Sequence, residues 1–254
     1  MITKVEPNKT YHSDKSISAS GLKTIYKKSV FHHINRQPFT SRALNLGSAV
    51  HAIMLEGMKV FNDEFYIMPK IDGRTKAGKE EKAKHVELAK GKSLLTPEDM
   101  QIIYGILDNF KENKMAQHYC SGQVEISHYS EYKGIPIKVR PDCFNSEHLF
   151  VSDVKTCQDN SPRAFKYDIY KWAYHLQAVC YSTVLGYPIE NFRFIAVETK
   201  PPYSVQVYAL GEELIEQGKR AFEEALSDWK LYHETGIMVG YKGKTNELDD
   251  SIIL

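Results

Sequence analysis

The stretch "VRPDCFNSEHLFVSDVKT", residues 139–156, ends one apolar run with Asp142 and places Asp153 and Lys155 inside the next. Charge in a strand interior is unfavourable unless it is paired or coordinates a metal, so something must compensate it. Asp153 and Lys155 are two residues apart and project from the same strand face, behind Leu149 and Val151. If the turn "FNSEHL" pairs the two runs as a hairpin, Asp142 arrives near the start of the second strand. Twist and register then decide whether it meets Asp153. Glu125, on the first strand of the same region, can supply a third carboxylate, with Glu131 on the same alternating face as its competitor.

Three clustered carboxylates repel one another and are partly protonated unless a cation sits between them. Oxygen ligands with few nitrogens favour magnesium or manganese over zinc. A lysine beside such a site can orient a water or stabilise charge on a phosphate, which outlines a phosphodiester-cleaving centre. The bland alternative for "DVK" is a salt bridge between Asp153 and Lys155 in a half-exposed strand.

The 254 residues, 42% hydrophobic and 26% charged, suit a globular chain with a sizeable core, in one large domain or two small ones. There is no apolar run of about 18 residues, so no transmembrane helix is expected. "MITKVEPNKTYHSDKSIS" lacks the apolar core of a signal peptide, and the expectation is a cytoplasmic protein with no membrane partner. Cys120, Cys143, Cys157 and Cys180 are scattered without a C-x-x-C pair, which argues against a zinc or iron–sulfur site and for reduced thiols. The net charge of +1 hides a polarity: residues 1–50 carry eight basic side chains against two acidic ones, and residues 211–254 carry ten acidic against five basic. Contact with a polyanion on one side, or two unrelated solvated surfaces, would each fit.

The spacing predicts a helix in "SISASGLKTIYKKSVFHHINR" and another in "TSRALNLGSAVHAIMLEG", where Leu44, Gly47, His51 and Leu55 share a face. The lysine-rich segment 69–92 cannot bury a core and is expected as a surface loop or exposed helix. A helix follows Thr96, with Pro97 in its first turn and Asp99 completing a capping box. From Gly122 the period becomes two, and three runs read as an antiparallel meander. A helix from Ala164 to Gly186, two strands, and a charged amphipathic helix over about 211–236 complete the chain, and residues 241–254 look loosely held. No linker divides it, so a single domain over 1–254 is expected: a helical part over about 11–120, a sheet core over about 122–210 and the C-terminal helix.

"RPD" followed by "DVK" resembles the signature of the PD-(D/E)XK nuclease superfamily. "GSAVHAIMLE" is similar to the G-x-x-x-H helix of its exonuclease branch, and "QAVCY" to that branch's Q-x-x-x-Y motif. The order His51, Glu125, Asp142, Asp153, Lys155, Gln177, Tyr181 matches this branch, and "SASGLK" and "PKIDGRTKAGK" resemble its RecE-like (exonuclease VIII) and lambda-exonuclease-like phage-type members, over about residues 11–236. The resemblance implies an α/β, restriction-endonuclease-like core with a central mixed β-sheet flanked by helices. It implies a Mg2+-dependent exodeoxyribonuclease that degrades duplex DNA ends 5′→3′ and leaves 3′ overhangs for recombination by strand annealing. Two Mg2+ per site are implied, with Mn2+ able to substitute.

Carried over by position, Asp142 and Asp153 would hold the main metal with the Val154 carbonyl and His51, and Glu125 would help hold a second. Lys155 would activate or orient water, and Gln177 and Tyr181 would support the site and contact the strand. Arg42 is a candidate for a terminal 5′-phosphate, or a solvent-exposed arginine; Arg140 could balance the carboxylates or touch phosphate. Implied partners are duplex DNA ends, a single-strand annealing protein of RecT type and further copies in a ring, in a bacterial host cell. The rivals are a RecB- or Cas4-like nuclease, an endonuclease, or a DNA-end-binding assembly protein without catalysis.

Overall fold

In the computed structural model, residues 1–242 are described, with the backbone of a short antiparallel pair at Lys244–Thr245 and Ile252–Ile253. The expectation of a loosely held tail falls mostly outside these described residues. Two sheets dominate. Their strands are β1 (Ile2–Lys4), β2 (Ile17–Ser18), β3 (Gln123–Val124), β4 (Ser127–Tyr132), β5 (Ile135–Val139), β6 (Cys143–Asn145), β7 (Phe150–Cys157), β8 (Phe192–Glu198) and β9 (Val205–Tyr208). The five-stranded sheet has the order β9-β8-β7-β6-β3 and the four-stranded one β1-β4-β5-β2. In the larger sheet β8 runs parallel to β7 and the other pairs are antiparallel, so the sheet is mixed as expected.

The predicted meander is therefore divided. Its strands run out of one sheet and into the other at two places, Glu125–Ile126 and Arg140–Asp142. Proline at 141 has no N–H for a ladder, which favours a break there. Leu149 is also corrected: it sits at positive φ (52°) in the turn and is exposed, so the apolar approach to Asp153 comes from Val151.

Helices α1 (Ala19–Lys27), α2 (Arg42–His51), α3 (Pro97–Glu112), α4 (Pro162–Lys171), α5 (Tyr174–Leu185) and α6 (Glu212–Thr235) cover the sheets. Strand alternation assigns the cores. Phe192, Phe194, Ala196 and Val151 pack with α1, α4, α5 and α6, while Ile195, Val197 and Val154 pack with α2 and α3. Helix α5 is buried nearly all round, between the sheet and α6. Gly218 allows the close approach, because a Cβ there would lie 2.7 Å from the His175 carbonyl oxygen. The helix predicted from Ala164 to Gly186 is two: the chain breaks at Ala173, whose backbone is left-handed (φ 51°, ψ 44°), and restarts as α5 in a new direction. Gly186 caps α5 in the left-handed conformation, as its position predicted. The lysine-rich segment forms an exposed helix, Lys76–Leu88, in which only Gly78 is buried.

The capping box of α3 is present, with Thr96 accepting from Asp99 N–H and Asp99 accepting from Thr96 N–H. Asp99 is 1% exposed and also receives the Arg42 guanidinium at 2.9 Å. Thr96→Ala is expected to reduce the unfolding free energy by about 1 kcal/mol. Asp99→Ala should reduce it further, since it releases both the cap and Arg42; urea titrations of the two variants give the comparison.

Candidate functional site

Both crossings between the sheets occur beside β7. Cys143 pairs with Ser152 and Val124 with Cys143, so Glu125, Asp142 and Asp153 fall on neighbouring backbones at one level. Glu125 N–H donates to the Asp142 carbonyl at 3.3 Å. The structure corrects its placement in one respect. Glu125 lies at a bend, not within a strand, and its backbone is left-handed at φ 53°, a sparsely populated conformation for a non-glycine residue. The bend turns the chain from β3 into β4.

The Asp142 carboxylate accepts from Val154 N–H at 2.6 Å, which ties the crossing segment to β7. His51, in the last turn of α2, donates from Nε2 to the Val154 carbonyl at 2.8 Å and sets Nδ1 3.3 Å from Asp142 Oδ2. Gly47, one turn earlier, lets α2 approach β7: a Cβ there would lie 3.3 Å from Thr156 Oγ1. Donor atoms of His51, Glu125 and Asp142 all lie within 4.8 Å of one another. Beyond His51 the helix widens into a π turn, Ala52–Glu56. Glu56 lines the same cleft of about 520 Å³ as His51 and Glu125.

Asp153 is not part of that trio, though its charge acts on Asp142. Its Oδ1 accepts from Gln177 Nε2 at 2.5 Å, and Lys155 Nζ lies against its Oδ2. The Lys155 ammonium also sits over the Tyr174 ring, 4.8 Å from its centroid. Gln177 is held in turn by Lys23, whose Nζ donates to Oε1 at 2.7 Å. That bond selects the amide orientation in which the NH2 faces Asp153. Tyr181, one turn along α5 and buried, lines a second recess of about 210 Å³ with Lys23, Gln177, Glu125 and Arg140.

The structure thus brings His51, Glu125, Asp142 and Val154 to one point, and Asp153, Lys155 and Gln177 to an adjoining one. Arg140 lies beside Glu125 but is engaged elsewhere. It donates to Ser127 Oγ at 2.9 Å and to the Glu6 carbonyl at 3.0 Å, and stacks on Tyr11 at 4.5 Å. Of its two suggested roles, this buried setting fits charge balance, and its field lowers the Glu125 pKa. Arg42 is drawn to Asp99 at the start of α3 and lines neither recess, so the structure supplies no support for the phosphate role considered for it. Two residues outside the predicted set belong to the site, Lys23 and Glu56. Both close motifs visible in the sequence, "SASGLK" and "GSAVHAIMLE".

Burial, with the Asp142 charge second, raises the Glu125 pKa to about 8. Burial and then Asp153 raise Asp142 to about 6. Burial alone would lower the Lys155 pKa, but Asp153 and Asp142 outweigh it and hold the ammonium above its ordinary value. Burial and then Lys155 lower Lys23 to about 7. The hard oxygen donors with one imidazole, and carboxylates whose mutual repulsion a cation relieves, fit a magnesium- or manganese-type ion.

Residues 18–246 match the model of a family described as "PDDEXK-like domain of unknown function (DUF3799)". The chain belongs to this family. No curated protein matches it. Among solved structures, a "Putative exonuclease" from Eubacterium rectale superposes with a TM-score of 0.65 at 14% identity, covering 93% of this chain and 90% of its own. At that identity the likeness concerns the fold alone, and it agrees with the restriction-endonuclease-like core expected from the sequence. SSO0001 aligns over 81% of this chain and 84% of its own at 12% identity, but a TM-score of 0.31 carries no argument. Among the described residues, no helix is long and apolar enough to cross a membrane.

A raised carboxyl pKa in the folded state makes folding favour the protonated form. Glu125 therefore contributes full stability below its unfolded value of about 4.3, and that contribution is lost as pH rises to about 8. In EDTA, the melting temperature of Glu125→Gln is expected to fall less than that of the wild type between pH 5 and 8.5; parallel thermal melts check it.

Proposed function

We propose that the protein is a Mg2+-dependent exodeoxyribonuclease that degrades duplex DNA 5′→3′ from its ends. The observation that carries the reading is the meeting of His51, Glu125, Asp142 and the Val154 carbonyl beside the Asp153–Lys155 pair at the sheet crossing. The first group would hold the cation, with Mn2+ a substitute, and Glu125 with Glu56 would serve a second ion. A bound cation would supply charge neutralisation at the phosphate oxygens and acidify an attacking water.

The chain's own side chains position the reactants. Lys155 stays protonated at neutral pH, so it acts as a hydrogen-bond donor that orients water or a nonbridging phosphate oxygen, not as a base. Asp153 fixes the lysine, Gln177 fixes Asp153 and Lys23 fixes Gln177. Tyr181 and Gln177 face the recess where the strand would lie. The ordered motifs of the RecE-like branch support end-dependence, 5′→3′ polarity and a role in recombination by strand annealing. Ring assembly and a RecT-type partner rest on the same resemblance.

Linear duplex labelled at one 5′ end should lose its label with Mg2+ but not with EDTA, while closed circular DNA stays intact. Lys155→Ala should cut about 10²–10³-fold more slowly. Cleavage of the circle would point to an endonuclease, and end-binding without any release to an assembly protein; either result overturns the proposal. Lys23→Met frees the Gln177 amide, and a fall of about 10–100-fold in cleavage rate is expected, with the melting temperature read alongside.

A further inference from the structure

A recess of about 650 Å³ lies apart from the one that holds the candidate metal ligands. It opens between residues 12–18, which include β2, residues 33–36, β5 and the C-terminal half of α6, and none of the predicted site residues lines it. It nevertheless adjoins the site. His12 and Ser18 line both this recess and the smaller one that contains Lys23, Gln177 and Tyr181. Asn8, Glu125 and Arg140 in turn line both the smaller recess and the metal-ligand cleft. The three are neighbours that share walls in this order.

Two properties of the large recess define a ligand. Its walls carry Lys15, Arg36 and Lys138 with three histidines, against Asp14 as the one acidic side chain among the described lining residues. Lys138 is committed to the Tyr11 and Asp14 carbonyls, but Lys15 and Arg36 stand exposed on the rim. The second property is an aromatic wall. Trp229 packs 5.3 Å from Tyr232 and, edge-on, 5.2 Å from His33. A basic rim beside aromatic rings, of which the half-buried Tyr232 is more open than the buried Trp229, is the arrangement that holds unpaired nucleotides, phosphates on the charges and bases on the rings. A duplex, whose bases are already stacked inside, would gain nothing from the rings.

We infer that this recess binds single-stranded DNA, the stretch of substrate strand that continues from the reacting phosphate through the smaller recess. The inference rests on the proposed nuclease reading for what the strand is doing there, but binding can be measured without cleavage. It also gives a use to the basic excess of residues 1–50, which the metal centre leaves unexplained.

The test uses a fluorescein-labelled 12-mer of thymidine and a 12-base-pair blunt duplex, each titrated by anisotropy in EDTA with the full chain. Lys15→Glu/Arg36→Glu alters exposed residues only, and Tyr232→Ala removes a ring without a charge; melts confirm that both fold. Each is expected to weaken the thymidine 12-mer about tenfold or more, with a smaller effect on the duplex. The charge variant should also reduce the slope of log affinity against log salt by about one to two. Unchanged affinity for the single strand in both variants, a loss confined to the duplex, or no binding of the 12-mer by the wild type would overturn the inference. Absence of Mg2+-dependent cleavage in the wild type would overturn the nuclease reading alone, since the binding result stands apart from it.

Discussion

The bond from Val154 N–H to the Asp142 carboxylate holds the segment that leaves one sheet against the central strand of the other. At this level the β3–β4 chain bends at Glu125 and the β5–β6 chain breaks at Pro141, and neither can continue a regular ladder. Backbone polar groups freed by the breaks need partners. The side chain of Asp142 supplies one to Val154, and its carbonyl supplies another to Glu125. The same geometry that repairs the ladder crowds two carboxylates and His51 into one cleft.

Crowding acids in a buried place is unfavourable, and the raised values of Glu125 and Asp142 register it. The opposite charges nearby are each fixed to something else. Lys155 rests on Asp153, Lys23 on Gln177, and Arg140 on Ser127 and Glu6. These groups therefore offset the acids only in part, which leaves charge for an ion to answer. The chain Lys23–Gln177–Asp153–Lys155 also couples α1, α5 and β7, so the position of one ammonium depends on three separately packed elements.

Much of this was legible in the chain. The period change at Gly122, the two-residue spacing of Asp153 and Lys155, the four-residue spacing of Gln177 and Tyr181, and the capping box at Thr96 all follow from local geometry. Each needs only the repeat of one strand or helix to be read. The likeness of "SASGLK" and "GSAVHAIMLE" to family motifs was visible as well, but not the role of their last residues. Lys23 matters through Gln177, 154 residues away, and no local pattern reports such a contact.

What the sequence determined by itself is the helical or extended character of most segments, the α/β class and the inventory of acids, lysine and histidine around one strand. What only the tertiary structure decided is how they divide. Periodicity could not tell a continuous meander from one that changes sheets, nor see the left-handed turn at Ala173 that redirects α5. It could not show that Asp153 turns to Gln177 and Lys155 while His51 joins Glu125 and Asp142, or that Asp99 takes Arg42. Those outcomes are settled by competition among partners distant in the chain, and a side chain's spacing along its own element carries no information about which partner wins.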